Sequence, residues 1–160
     1  MKFITILCCS LVVCFGSACS LGGDDPPTEE GFPPGSGQVS ASIGGVTFSA
    51  SGKPAVVVTK TATGFTIDAS TSTATLTLNF TGVGKIGTYT LGTGGSGTAT
   101  YTSGGSTWTT SEIGGGGSVN VNSFSTAQAI GSFTFTAGPV DGTSATGTKV
   151  VTSGAFNVIF

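Results

Sequence analysis

Beyond residue 38 the chain alternates apolar and polar side chains with a period of two, and no stretch carries the 3.6-residue period of an amphipathic helix. Val39, Ala41 and Ile43 alternate with Ser40 and Ser42, and after Gly44-Gly45 the alternation resumes at Val46, Phe48 and Ala50. A two-residue Gly-Gly turn pairs Ile43 with Val46, Ala41 with Phe48 and Val39 with Ala50, so one face of the hairpin holds every apolar side chain. The segment Phe65–Phe80 repeats the pattern. A turn centred on Thr71-Ser72, or a four-residue loop in the same register, sets Ala69 opposite Ala74, Ile67 opposite Leu76 and Phe65 opposite Leu78. Thr66, Asp68, Thr75, Thr77 and Asn79 then share the other face. A third hairpin turns at Gly104-Gly105 and places Tyr101 opposite Trp108. Further strands are predicted over Val56–Lys60, Gly87–Leu91, Ser118–Phe124, Gly131–Ala137, Lys149–Thr152 and Ala155–Phe160. About ten short strands joined by glycine turns predict an all-β domain over residues 38–160, an antiparallel two-sheet β-sandwich, with a closed barrel as the alternative.

Composition narrows the chemistry of that domain. The 160 residues include 28 Gly, 28 Thr and 20 Ser, only five Lys, no Arg and no His, and the charged fraction is 8%. A soluble domain usually has about a quarter of its residues charged. Without His there is no imidazole base or metal ligand, and without Arg no guanidinium fork for phosphate. A formal charge of −2 gives no electrostatic footprint for nucleic acid, so none is expected as a partner. The charges are also unevenly spread. Asp24, Asp25, Glu29 and Glu30 precede the domain, which keeps four Lys against Asp68, Glu112 and Asp141. The threonine excess is therefore read as the polar face of a sheet.

Ahead of the domain the pattern changes twice. Met1–Phe15 is a lysine followed by an apolar run, too short to span a bilayer and of signal-peptide length. Gly16-Ser17-Ala18 then leads into Cys19. This arrangement resembles the lipobox of bacterial lipoproteins, where a signal peptidase cuts before a cysteine whose thiol carries diacylglycerol. Ser17 and Ala18 fit that pattern, and Gly16 stands where an aliphatic residue is usual. Leu11-Val12-Val13-Cys14 is the rival, with bulky Val13 beside the cut. The resemblance implies a signal peptide over 1–18, a lipid on Cys19 and, from Ser20, sorting to the outer membrane, facing either the periplasm or the surface. Ordinary secretion, with cleavage after Ala18 and a free Cys19 thiol, is the alternative. Cys8, Cys9 and Cys14 fall in the removed segment, so the mature chain has one Cys and no internal disulfide. Residues 19–37 hold four of the six prolines beside glycines and acids, the composition of a disordered, flexible tether.

Within the domain, Gly45-x-x-Phe48-x-Ala50, Gly87-Thr88-Tyr89-x-Leu91-Gly92, Gly117-Ser118-Val119-x-Val121-x-x-Phe124, Gly131-x-Phe133-x-Phe135-x-Ala137 and Gly154-x-Phe156-x-Val158-x-Phe160 follow in order. The set resembles small all-β lipoproteins of Gram-negative bacteria that carry a domain of unknown function. That resemblance implies a fold and a location, with no activity or binding residues to carry over.

Candidate chemistry is sparse. Asp68, Glu112 and Asp141 are the domain's only carboxylates, and sequence alone does not bring them together as hydrolysis by paired acids requires. Gly92–Gly97 and Gly114–Gly117 lack the Lys-Ser/Thr and the helix of a phosphate loop and read as flexible hairpin loops. Trp108 and Tyr101 are the candidate ligand-binding residues, able to stack on sugar rings if exposed; the alternation of Ala99 and Tyr101 instead supports both rings pointing into the core. Phe160, at the end of an alternating segment, also suits a small outer-membrane barrel, but the predicted strands are short and there is no aromatic girdle. The expected function is a non-catalytic, lipid-anchored outer-membrane lipoprotein acting in binding, adhesion or envelope structure, without cofactor or metal. Its expected partners are the membrane and a glycan or envelope protein, with self-association where threonine-rich edges lack guarding charges.

Overall fold

The computed structural model describes residues 33–160. The expected signal peptide over 1–18, the expected lipid site at Cys19 and the expected tether as far as residue 32 lie outside the described residues. Eleven strands follow one another among the described residues: β1 Ser36–Ile43, β2 Val46–Ser51, β3 Val56–Lys60, β4 Gly64–Ser70, β5 Ala74–Thr81 and β6 Gly87–Leu91. Then come β7 Gly97–Ser103, β8 Ser106–Thr109, β9 Gly116–Phe124, β10 Gln128–Pro139 and β11 Lys149–Ile159. No helix occurs among the described residues. β1 begins at Ser36, a buried residue two positions inside the stretch assigned to the tether.

Two glycine turns fix the local registers as their spacing predicts. Gly44 and Gly45 have φ of 57° and 83°, and Gly104 and Gly105 have 56° and 77°, the left-handed values a tight hairpin of this kind needs. β1 and β2 pair Val39 with Ala50, Ala41 with Phe48 and Ile43 with Val46. β7 and β8 pair Tyr101 with Trp108. The β4–β5 hairpin differs. Its register is displaced by two, so that Phe65 faces Phe80, Ile67 faces Leu78 and Ala69 faces Leu76. The Thr71 N–H donates to the Ala74 carbonyl and the Ala74 N–H to Thr71 Oγ1 at 3.1 Å, which moves the turn to Ser72-Thr73. A displacement of two leaves each side chain on its expected face. It also sets the rings of Phe65 and Phe80 4.7 Å apart.

Lys149–Thr152 and Ala155–Phe160 prove to be one strand. At Ser153-Gly154 the pairing of β11 slips against both β1 and β10, a bulge with Ser153 at φ 51°. β10 and β11, at 12 and 11 residues, are thus longer than the expected short strands.

The all-β architecture is as expected, but the strands do not separate into two sheets. They lie on a single hydrogen-bonded path, β2-β1-β11-β10-β9-β6-β7-β5-β4-β3, with β8 bridging β7 and β10. The strands β10, β9, β6, β7 and β8 therefore close a ring of five. The reason is local. β8 and β9 lie end to end along the same edge of β10, where Pro139 faces Trp108, Gly138 faces Thr109 and Thr136 faces Gly116. β6 stops where β7 starts, and the two meet in parallel at the single pair Leu91–Gly97; the other pairings are antiparallel. Two glycine-rich excursions, residues 92–96 and 110–115, let the chain step from one partner to the next.

From the ring two arms extend, β11-β1-β2 on one side and β5-β4-β3 on the other, and they fold toward each other so that β1 touches β3 and β2 touches β4. Phe65 and Phe80 of one arm meet Phe156 of the other at 6.4 and 6.0 Å between ring centroids, and Phe160 stands 5.2 Å from Phe65. Val39, Ile67, Leu76, Leu78, Val119, Val121 and Val158 are fully enclosed around this cluster. Burying one such side chain contributes about 1.5–3 kcal/mol. The interior is apolar and the outward rows are mostly polar and rich in Ser and Thr, the inverse of a membrane barrel, whose apolar side faces lipid.

Candidate functional site

Trp108 and Tyr101 meet across the β7–β8 hairpin, rings stacked with centroids 5.8 Å apart. The indole is 7% exposed. Its Nε1–H donates to the carbonyl of Gly147 at 3.1 Å and reaches that of Thr146 at 3.4 Å, both in the β10–β11 loop, while Lys149 Nζ stands 4.7 Å from its centroid. The ring is a strut that holds the 140–148 loop against the barrel. It has no free face for a sugar, so the stacking role considered for Trp108 does not fit its placement. Tyr101 is half-buried at the edge of a shallow recess of about 90 Å³ with Val46 and Thr71.

The carboxylates stay apart in role. Asp68 faces outward on β4 and accepts a hydrogen bond from Thr77 Oγ1 at 2.7 Å across the β4–β5 pair. Glu112 lies in the 110–115 excursion, its Cβ 3.0 Å from where a Cβ on Gly138 of β10 would stand, and Asp141 lies in the β10–β11 loop. Among the described residues no three acids or cysteines stand close enough to hold a metal ion.

The glycine segments do structural work of a kind their composition did not show. Residues 92–96 join parallel neighbours and so are no hairpin loop. This segment packs on the 110–115 excursion: Thr93 Oγ1 donates to the Ser111 carbonyl at 3.0 Å, and a Cβ at Gly92 would stand 2.8 Å from the Thr110 carbonyl oxygen. Buried Thr110 in turn accepts the Ala99 N–H at 3.0 Å on its hydroxyl. Glycine is required here so that two backbones can touch.

A concavity lies on the outer face of β1, β11, β10 and β9. One row across the strands carries Gln38, Asn157 and Ile130, and the next carries Ser40, Ala155 and Ser132. Long side chains beside short ones leave an open groove of about 370 Å³, with Asn122 at its β9 end, where a slip between Ile130 and Gly131 brings it level. Gln128 Nε2–H donates to Asn157 Oδ1 at 2.8 Å. Among the described residues no charged side chain lines the groove.

A family described as a domain of unknown function (DUF6252) matches residues 36–159. The chain belongs to that family. Comparison with curated proteins and with solved structures gives no match. The DUF6252 match starts at the first residue of β1 and ends at the last of β11, so family and fold coincide.

The groove of this DUF6252 domain was not legible in the sequence, although its side chains were. Gln38, Asn120, Asn122, Gln128 and Asn157 occupy outward or edge positions of four strands. Period-two alternation shows that each points outward. That β1 lies beside β11, and β11 beside β10, comes only from the long-range pairing that gathers them.

Proposed function

We propose that the chain is an exported lipoprotein held in the outer membrane by a lipid on Cys19, and that its DUF6252 domain is a non-catalytic module serving binding, adhesion or envelope structure. The observation that carries this reading is the run of small residues Gly16-Ser17-Ala18 directly before Cys19, after an apolar segment and in a chain whose other three cysteines all precede it. A non-catalytic role is supported by the engagement of Asp68 with Thr77 and by the neutral, hydroxyl-rich exterior. Attachment at one end is supported by the N-terminal side of β1, where Gly35 N–H donates to the Ile159 carbonyl at 2.9 Å, so the tether would leave the domain beside its last strand.

The test is the intact mass of the full chain recovered from bacterial membranes. The expected species begins at Cys19 and carries two or three acyl chains, because a single chain holds a protein only marginally. Cys19→Ser should abolish both the acyl increment and the cleavage that depends on it, leaving a chain of precursor mass. A wild-type chain that begins at Cys19 without acyl mass, or begins elsewhere, overturns the reading.

A further inference from the structure

Five of the six carboxamide side chains of the sequence, all but Asn79, sit on the four adjacent strands that carry the outer-face groove or at their ends. Asn79 is on β5, part of the other arm. We infer that the groove is a binding site for a neutral, extended oligosaccharide.

Three features carry the inference. A carboxamide offers two donors and an acceptor in one plane, and a sugar hydroxyl is both donor and acceptor, so neighbouring hydroxyls can be met by one amide. Gln38, Asn122 and Asn157 supply these groups, and Ser40 and Ser132 add hydroxyls between them. The bond from Gln128 occupies Asn157 Oδ1 and aims its NH2 group, a degree of pre-orientation that lowers the ordering cost on binding.

The lining is also uncharged, and an ionic ligand laid there would lose hydration with no counter-charge to replace it. A neutral ligand loses less. Ile130 and Ala155 provide the apolar patch that the CH face of a sugar ring covers.

Finally, the site is on the face of the sheet. Peptides that add to sheets do so along an open edge, where unpaired backbone groups receive them. Here β9, β10 and β11 are paired on both sides, so the groove presents side-chain amides and hydroxyls and no free ladder. The four strands span about 14 Å at ~4.8 Å per step, a length suited to several residues of an extended glycan.

The experiment uses the full chain, labelled with 15N and titrated with maltohexaose, cellohexaose and chitohexaose, reading side-chain NH2 resonances. At least one hexamer should shift the signals of Gln38, Asn122 and Asn157 and leave that of Asn79 in place. The double variant Gln38→Ala/Asn122→Ala removes two exposed side chains and should weaken binding about 25-fold, at roughly fivefold per hydrogen-bonding amide. Asn79→Ala should leave the affinity unchanged. No shift with any of the three, equal shifts at Asn79, or a response to a neutral Gly/Ser peptide but to no sugar would each overturn the site. The result is independent of acylation: failure here leaves the lipid on Cys19 standing, and an unmodified Cys19 leaves the groove standing.

Discussion

At Gly154 the interior reaches the backbone. Ser153 bends the strand into the left-handed region, and a Cβ on the next residue would lie 2.3 Å from Cδ2 of Phe133, a ring that is itself 2% exposed. The ring cannot swing aside without opening the core, because interiors are packed at crystal density. Gly154→Ala should therefore cost about 1–3 kcal/mol, seen as a lower urea midpoint with an unchanged slope. Gly84 is the internal comparison. It has open space around its Cα and no left-handed φ, so Gly84→Ala should leave the midpoint unchanged or raise it by the equivalent of about 0.4–1 kcal/mol. If both variants fall together, the steric reading of Gly154 is wrong. At this scale the sequence was most readable. Alternation alone turned Ala41, Phe48, Ile67, Leu76, Phe133 and Phe156 inward, and all six are buried.

At the scale of elements, turn chemistry decided what could be read. Gly44-Gly45 and Gly104-Gly105 demand tight turns, and a tight turn fixes the register that follows from it. Thr71, Ser72 and Thr73 demand nothing as strongly, and there the predicted register missed by two. Long-range pairing left no mark, since period two says which side a residue faces and is silent on which strand lies beside it. The edges show the same dependence on distant partners. β3 ends the sheet path, yet its Val58 N–H donates to the Gly35 carbonyl at 2.9 Å and its Val56 N–H to that of Gly52 at 2.7 Å. Residues just ahead of β1 and just after β2 thus cover an edge that would otherwise invite pairing with another chain. A chain whose domain starts at Ser36, without residues 33–35, should show fast hydrogen exchange at the Val58 amide and concentration-dependent association in light scattering. Unaltered protection of Val58 would show that Gly35 does not guard this edge.

For the molecule as a whole, the closing strand is four residues long. β8 joins β7 to β10 with Trp108 at its centre, and without it the five-strand ring would be open between the two arms. The Phe65–Phe80–Phe156 cluster lies in the arms, away from this closure in sequence and on different strands. Since both depend on β10 and β11 being in place, they should be lost together. Unfolding by urea is expected to give one transition with the same midpoint by far-ultraviolet circular dichroism and by Trp108 fluorescence, which starts blue-shifted because the indole is enclosed. A fluorescence change well ahead of the dichroism would mean that the ring opens as a separate unit. The sandwich expected from strand count and turn spacing failed at this scale for a physical reason. Nothing in an alternating pattern distinguishes two sheets from one that is carried around corners, and the corners here are made by backbone contacts between glycines and Thr110.

The place of β1 in the path has a temporal consequence. Its partners are β2, which follows at once, and β11, which is made last. A chain emerging from a ribosome, or threaded through a membrane from its N-terminus, can form the β1–β2 hairpin early but cannot seat it. Two strands alone are marginally stable in water, and closing the remaining hundred or so residues into a loop must wait for Lys149–Ile159 to arrive. The domain is thereby kept from finishing its fold until its final strand has come through, and the first strand to appear is locked by the last.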